Sequence, residues 1–151
     1  MTAKEIMTTK VITVTPETSV ETLAGILSEH RISGVPVTEA DGSLVGIITE
    51  KDLIRKNARL HIPTVFRIFD AFVALERPGK MLDEMKRMAA TNVGDICTRK
   101  VVTVNPETTV QDIATIMSER NVHLLPVLED GNLVGIVGKV DVVRALSSGE
   151  A

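Results

Sequence analysis

Two short stretches of this sequence carry residue types suited to holding a small polar molecule. They are Thr49-Glu50-Lys51-Asp52 and, 89 residues on, Gly138-Lys139-Val140-Asp141. A helix beginning at Thr49 would present amides with no partner inside the helix, at the positive end of the helix dipole, which suits a phosphate. The carboxylate of Asp52, like that of Asp141, can accept two hydrogen bonds from the neighbouring hydroxyls of a ribose. The same T-x-x-D spacing is also a capping pattern in which Thr49 and Asp52 satisfy only their own helix. A third stretch, Ile32-Ser33-Gly34-Val35-Pro36, combines apolar surface for a flat ring with amides and carbonyls for its edge. Pro36 and Pro126 each remove a ladder donor, so their strands are expected at an edge or a distortion. A plain buried strand accounts for the same residues equally well.

Other chemistry is hard to place. The sequence has no Gly-rich phosphate loop and no G-x-S-x-G, and His30, His61 and His123 are too scattered to hold a metal. No catalytic residues, metal or cofactor are therefore expected, and the chain reads as a non-enzyme. With 44% hydrophobic and 25% charged residues it is globular, and a net charge of −3 offers no long-range attraction to nucleic acid or an anionic membrane. No apolar run approaches the roughly 20 residues needed to span a bilayer, and Met1 to Lys10 lacks a signal peptide's apolar stretch. The single cysteine, Cys97, cannot form an internal disulfide, and the expected location is the cytoplasm.

The elements that position these residues come in two copies. Ile6 to Val37 and Ile96 to Val127 align without a gap at a spacing of 90 and share half their residues. After Ala40, which has no counterpart, the alignment resumes at a spacing of 89, pairing Asp41-Gly42 with Asp130-Gly131 and Leu44-Val45-Gly46-Ile47 with Leu133-Val134-Gly135-Ile136. Units of about 55 residues are marginal folders alone, so the copies are expected to pack together around an approximate two-fold axis, creating two related clefts. Cys97 occupies the place of Met7, which favours a small buried hydrophobe over a reactive thiol.

Each copy reads as strand, helix, strand, strand, helix. Lys10 to Val14 and Lys100 to Val104 are β-branched runs stopped by Pro16 and Pro106. Thr18-Ser19-Val20-Glu21 and Thr108-Thr109-Val110-Gln111 match the capping box, with the first threonine as cap. The helices that follow carry apolar stripes at Val20, Leu23, Ala24 and Leu27, and at Val110, Ile113, Ala114 and Met117. Strands are predicted over Gly34 to Thr38, Leu44 to Thr49, Leu124 to Leu128 and Leu133 to Val137, and closing helices over Lys51 to Ala58 and Val140 to Leu146.

This order, carrying HRISGVPVTEADGSLVGIITEKDL and RNVHLLPVLEDGNLVGIVGKVDVV, resembles the CBS domain, named after cystathionine β-synthase. The resemblance implies an α+β tandem CBS pair, or Bateman module, related by pseudo-two-fold symmetry. Repeat 1 spans 1–58, a helical connector 59–91 and repeat 2 92–151. It further implies clefts at the interface that take an adenosine-containing ligand: AMP, ADP, ATP or S-adenosylmethionine. Carried over residue by residue, it assigns ligand contacts to Ile32, Ser33, Gly34, Val35, Pro36, Thr49 and Asp52, with His123 facing the first ligand's phosphate and Asp141 retained as a ribose acceptor. Repeat 2 departs from the pattern, with Gly138 in place of Thr49 and His123-Leu124 in place of Ser33-Gly34, so the Thr49 and Asp52 site is expected to be the stronger. Lys10, Lys100, Arg31 and Lys139 are further candidates for screening phosphate charge.

The connector holds all three aromatics, Phe66, Phe69 and Phe72, on one predicted amphipathic helix, followed by Pro78-Gly79 and a second helix over Lys80 to Ala90. These helices read as cover for the pair's own core or as a surface for a second copy, and by resemblance a homodimer is expected. The leading function is a regulatory sensor of adenosine nucleotides acting on a separate, unknown effector protein. The alternative is a structural dimerisation or assembly module with vestigial clefts. Nucleic-acid binding is disfavoured by charge and by the lack of an aromatic, basic surface.

Overall fold

The computed structural model describes residues 1–55 and 91–149. The helices expected between Phe66 and Ala90 lie outside the described residues. Each copy contributes a short helix, a long helix, a two-stranded antiparallel sheet and a closing helix. In chain order these are α1 (Ala3–Ile6), α2 (Val20–His30), β1 (Gly34–Thr38), β2 (Leu44–Thr49) and α3 (50–55), then α4 (Val93–Ile96), α5 (Val110–Arg120), β3 (Leu124–Glu129), β4 (Asn132–Gly138) and α6 (Lys139–Ser147). β1 pairs with β2 and β3 with β4, with the register shifting just after Val37 and just after Val127.

The two hairpin turns differ for a reason visible in one residue. In the second copy Asp130 (φ 50°) and Gly131 (φ 81°) close a two-residue turn between paired Glu129 and Asn132, as left-handed values at both positions allow. The extra Ala40 lengthens the first turn to residues 39–43, so that only Gly42 (φ 86°) is left-handed there. Asp41 takes over part of the work, its Oδ1 accepting from the Ser43 amide at 2.9 Å and hydroxyl at 2.6 Å.

The helix caps fall one residue later than the sequence suggests. Ser19 Oγ accepts from the Thr22 amide and Thr109 Oγ1 from the Asp112 amide, both at 3.1 Å. Thr18 and Thr108 instead accept from the amides of Thr15 and Asn105, closing the turn that enters the helix. With two hydroxyl residues in a row, either can cap, and the preceding turn decides which. The first predicted strands also contract. Within 10–14 and 100–104 only Val14 and Val104 pair, each through one parallel bridge, to Val37 and Val127. Val14 donates to Pro36 O at 3.1 Å and accepts from Thr38 N at 2.8 Å. The donor that Pro36 lacks therefore falls on the edge of β1 away from β2, where proline costs the ladder nothing.

The two copies are interlocked at their N-terminal ends, a feature the period does not reveal. The Ala3 and Lys4 amides at the start of α1 donate to Thr108 O and Pro106 O of the other copy, and Val93 and Gly94 of α4 donate to Thr18 O and Pro16 O. Thr8 exchanges backbone bonds with Ile136, and Thr98 with Ile47. Ala3 belongs to the core of Val104, Val110, Ile113, Leu125, Val127 and Val137, and Val93 to that of Leu23, Leu27, Val35, Val37 and Ile48. Each repeat unit of the sequence thus lends its N-terminal segment, α1 through Thr8 or α4 through Thr98, to the packing unit of the other.

This exchange explains the glycine of Leu-Val-Gly-Ile. A Cβ on Gly46 would lie 2.7 Å from Thr98 O and 3.0 Å from Cys97 Sγ, and one on Gly135 would run into Met7. Met7 and Cys97 therefore hold equivalent places against the two sheets. Burial pushes the Cys97 thiol above its usual range, against the pull of Arg99. A raised thiol holds less thiolate at a given pH, so Cys97 is expected to alkylate several-fold more slowly in the folded protein than in urea at about pH 8. Equal rates in a stopped-flow alkylation would show an open thiol instead.

Candidate functional site

Strand register brings the candidate residues together. Pairing of Gly34 with Thr49 and of Leu124 with Gly138 places the start of the first strand beside the end of the second in each hairpin. The two hairpin ends meet in the seam between the copies, where a Cβ on Gly34 would lie 2.7 Å from Ile48 O and 3.0 Å from Leu124 Cδ2. Gly34 is thus required by close approach: the second copy puts a leucine where the first puts a glycine, and one fills the space of the other.

Around this meeting point runs a cleft of about 1030 Å³, at the upper limit of small-molecule sites. Its walls come from both copies: Leu27, Ser28, Arg31 to Gly34, Thr49 and Asp52 from the first, Val122, His123, Leu124 and Gly138 from the second, and the segments around Lys10 and Lys100.

Of the nine residues singled out by sequence, Ile32, Ser33, Gly34, Thr49, Asp52 and His123 line this cleft. Val35 and Pro36 do not. β1 is buried along its whole length, Val35 packs in the first core, and Pro36 is fully buried. Asp141 is also absent from the lining. Its Oδ2 accepts from the Gly138 amide at 2.8 Å, and its Oδ1 lies 3.7 Å from Arg144.

The equivalent carboxylate in the first copy is arranged differently. Asp52 Oδ2 accepts from the Thr49 amide at 2.9 Å and from the Thr49 hydroxyl at 3.3 Å. Both bonds fall on one oxygen, and no cation is paired with the other among the described residues. The carbonyls of Ser33 and His123 are tied to the closing helices by the Glu50 and Lys139 amides, at 2.8 and 3.0 Å. This fixes the two strand starts against the two helix starts. Thr8, Thr98, Ile136, Lys51 and Arg55 also line the cleft without having been singled out by sequence. For Thr8 and Thr98 no sequence signal exists, because only the exchange of N-terminal segments brings them here. Lys51 and Arg55 had one, their i, i+4 spacing on the closing helix.

A model of the CBS domain matches residues 3–59 and again residues 93–148. The chain belongs to the CBS domain family. Its two copies form a tandem CBS pair, in agreement with solved CBS-pair structures. The structure of CBSX2 in complex with AMP superimposes with a TM-score of 0.74 at 26% identity, covering 99% of this chain and 98% of that one. The CBS domain pair of protein MJ0100 in complex with 5′-methylthioadenosine and S-adenosylmethionine gives a TM-score of 0.73 at 27% identity, with coverage of 99% and 98%. In sequence, protein MJ1426 of Methanocaldococcus jannaschii is 33% identical over 129 residues, 80% of this chain and 77% of that one. No described helix is long and apolar enough to cross a membrane, and the described residues contain no cluster of three metal-ligating side chains.

Proposed function

We propose that this chain is a regulatory module that binds an adenosine nucleotide in the seam of its CBS pair and passes the binding energy to a separate effector protein, without catalysing a reaction. The observation that carries this reading is the convergence of Ser33, Gly34, Thr49 and Asp52 on one cleft walled by both copies. In this reading Ile32 and the strand start at Ser33 and Gly34 receive the base, with Val35 and Pro36 as the rigid layer behind them. Thr49 meets phosphate or ribose, Asp52 takes the ribose hydroxyls through Oδ1, and His123 faces the phosphate from the other copy. Asp141, held by Arg144, makes the second half-site the weaker. The CBS pairs solved with AMP, and with methylthioadenosine and S-adenosylmethionine, support the ligand class. A ligand touching both copies can shift their packing only by its differential affinity for the two arrangements.

Val143 and Leu146 leave an apolar stripe exposed along α6, continued by Val140 and by Ile54 of α3, the counterpart of Val143, where they border the cleft. This stripe supports the homodimer, and it is also what an assembly module with vestigial clefts would show. The expected site of action is the cytoplasm. Isothermal titration with AMP, ADP, ATP and S-adenosylmethionine separates the two readings. At least one is expected to bind with a dissociation constant in the micromolar range, about −8 kcal/mol. Silence from all four would leave the assembly module standing in place of the sensor.

A further inference from the structure

The cleft is far more positive than the chain that forms it. Among the described residues, Lys10, Arg31, Lys51, Arg55, Lys100 and Lys139 line it against two carboxylates, Glu50 and Asp52, in a chain whose net charge is −3. Among the described residues none of the six is in an ion pair; the pair present there, Arg144 with Asp141, lies outside the lining. Duplication explains Lys10 and Lys100, which are counterparts, and Arg55, whose counterpart is Arg144. Arg31 stands where the second copy has Asn121, Lys51 where it has Val140, and Lys139 where the first copy has Glu50. Positive charge has thus gathered on this concave surface position by position, and a cleft lined by one sign of charge focuses its field on what enters.

Arg31 adds an observation of a different kind. It ends α2 in the left-handed region, at φ 52°, the same value as Asn121 at the end of α5. Asparagine tolerates that conformation and arginine does not favour it. The first copy nevertheless carries the long cation there, at the rim of the cleft.

We infer that this cleft selects its ligand by charge, taking an adenosine compound with two or three phosphates in preference to AMP, and either in preference to the sulfonium compound S-adenosylmethionine. The inference rests on the adenosine reading of the same cleft. Each added phosphate brings negative charge to unpaired cations, whereas the sulfonium brings a positive charge into their field. The volume leaves room for a phosphate chain beyond the nucleoside.

The test is titration calorimetry on the full chain with adenosine, AMP, ATP, S-adenosylmethionine and inorganic tripolyphosphate, at ~50 and ~300 mM salt, which span the change in screening length. ATP is expected to bind at least about tenfold more tightly than AMP, the effect of one charge-assisted contact. Its advantage should shrink at the higher salt, and tripolyphosphate should compete with it. Arg31→Asn should weaken ATP about five- to tenfold, leave adenosine unchanged and melt no lower than the parent, since it relieves the backbone. AMP or S-adenosylmethionine binding as tightly as ATP would overturn charge selection and leave the adenosine reading intact. Tripolyphosphate binding with no nucleoside preferred over it would do the reverse, and silence from every compound would overturn both.

Discussion

Gly46→Ala is expected to lower the stability of this protein by about 1–3 kcal/mol, a midpoint shift of roughly 2–12 °C at this chain length. The added methyl would meet a backbone carbonyl, Thr98 O at 2.7 Å, and backbone cannot swing aside as a side chain does. The crossing segment can yield only by giving up the paired bonds between Ile47 and Thr98, both 2.9 Å. It would also draw fully buried Val93 away from the core of the first copy. Gly25→Ala is the control of opposite sign. Nothing lies within 4 Å of its missing Cβ, so in the middle of α2 alanine should add about 0.5–1 kcal/mol. Urea melts of the two variants check the pair, and a Gly46→Ala midpoint equal to the parent's would show that the exchanged segment is not docked as described.

The second large effect is stabilisation by ligand. At 100 times its dissociation constant a nucleotide that binds only the folded chain should add about 2.7 kcal/mol, roughly 5–11 °C. Asp52→Ala should abolish most of this increment, while Asp141→Ala should keep it. Both variants lose the same capping bond to a helix start, so their ligand-free proteins should be destabilised alike, by about 0.5–2 kcal/mol. Measuring each increment against its own ligand-free baseline in a thermal melt removes that shared loss. An increment that survived Asp52→Ala and vanished in Asp141→Ala would reverse the ranking of the two half-sites.

The two experiments probe one architecture from opposite sides. The glycine tests whether the copies are locked to each other, and the carboxylate tests whether the seam that locking creates holds a ligand. In a sensor these are linked, because a molecule bound to both walls stabilises the arrangement in which the walls face each other.

Much of this was legible in the residues alone. The duplication, the boundaries of β1 and β2, the two long helices and the turns at Gly42 and Gly131 follow from local pattern, since hydrophobic period and left-handed glycine are properties of neighbouring residues. The convergence of Thr49 and Asp52 with the start of β1 also follows, because a hairpin register fixes which residues face each other across it. Only tertiary structure decided the rest. Pairing partners for 10–14 and 100–104 depend on how many backbone groups the adjacent sheet edge offers, and that edge takes only Val14 and Val104. The burial of Val35 and Pro36 behind the cleft depends on what packs against both faces of β1. The exchange of α1 and α4 between copies leaves no trace in a repeat alignment, because an intact copy and a swapped one have the same sequence. Close contact of Gly46 with Thr98 is a consequence of that exchange, and the gathering of six cations around one seam is a consequence of how the copies pack, both made by residues far apart in the chain whose meeting no local pattern encodes.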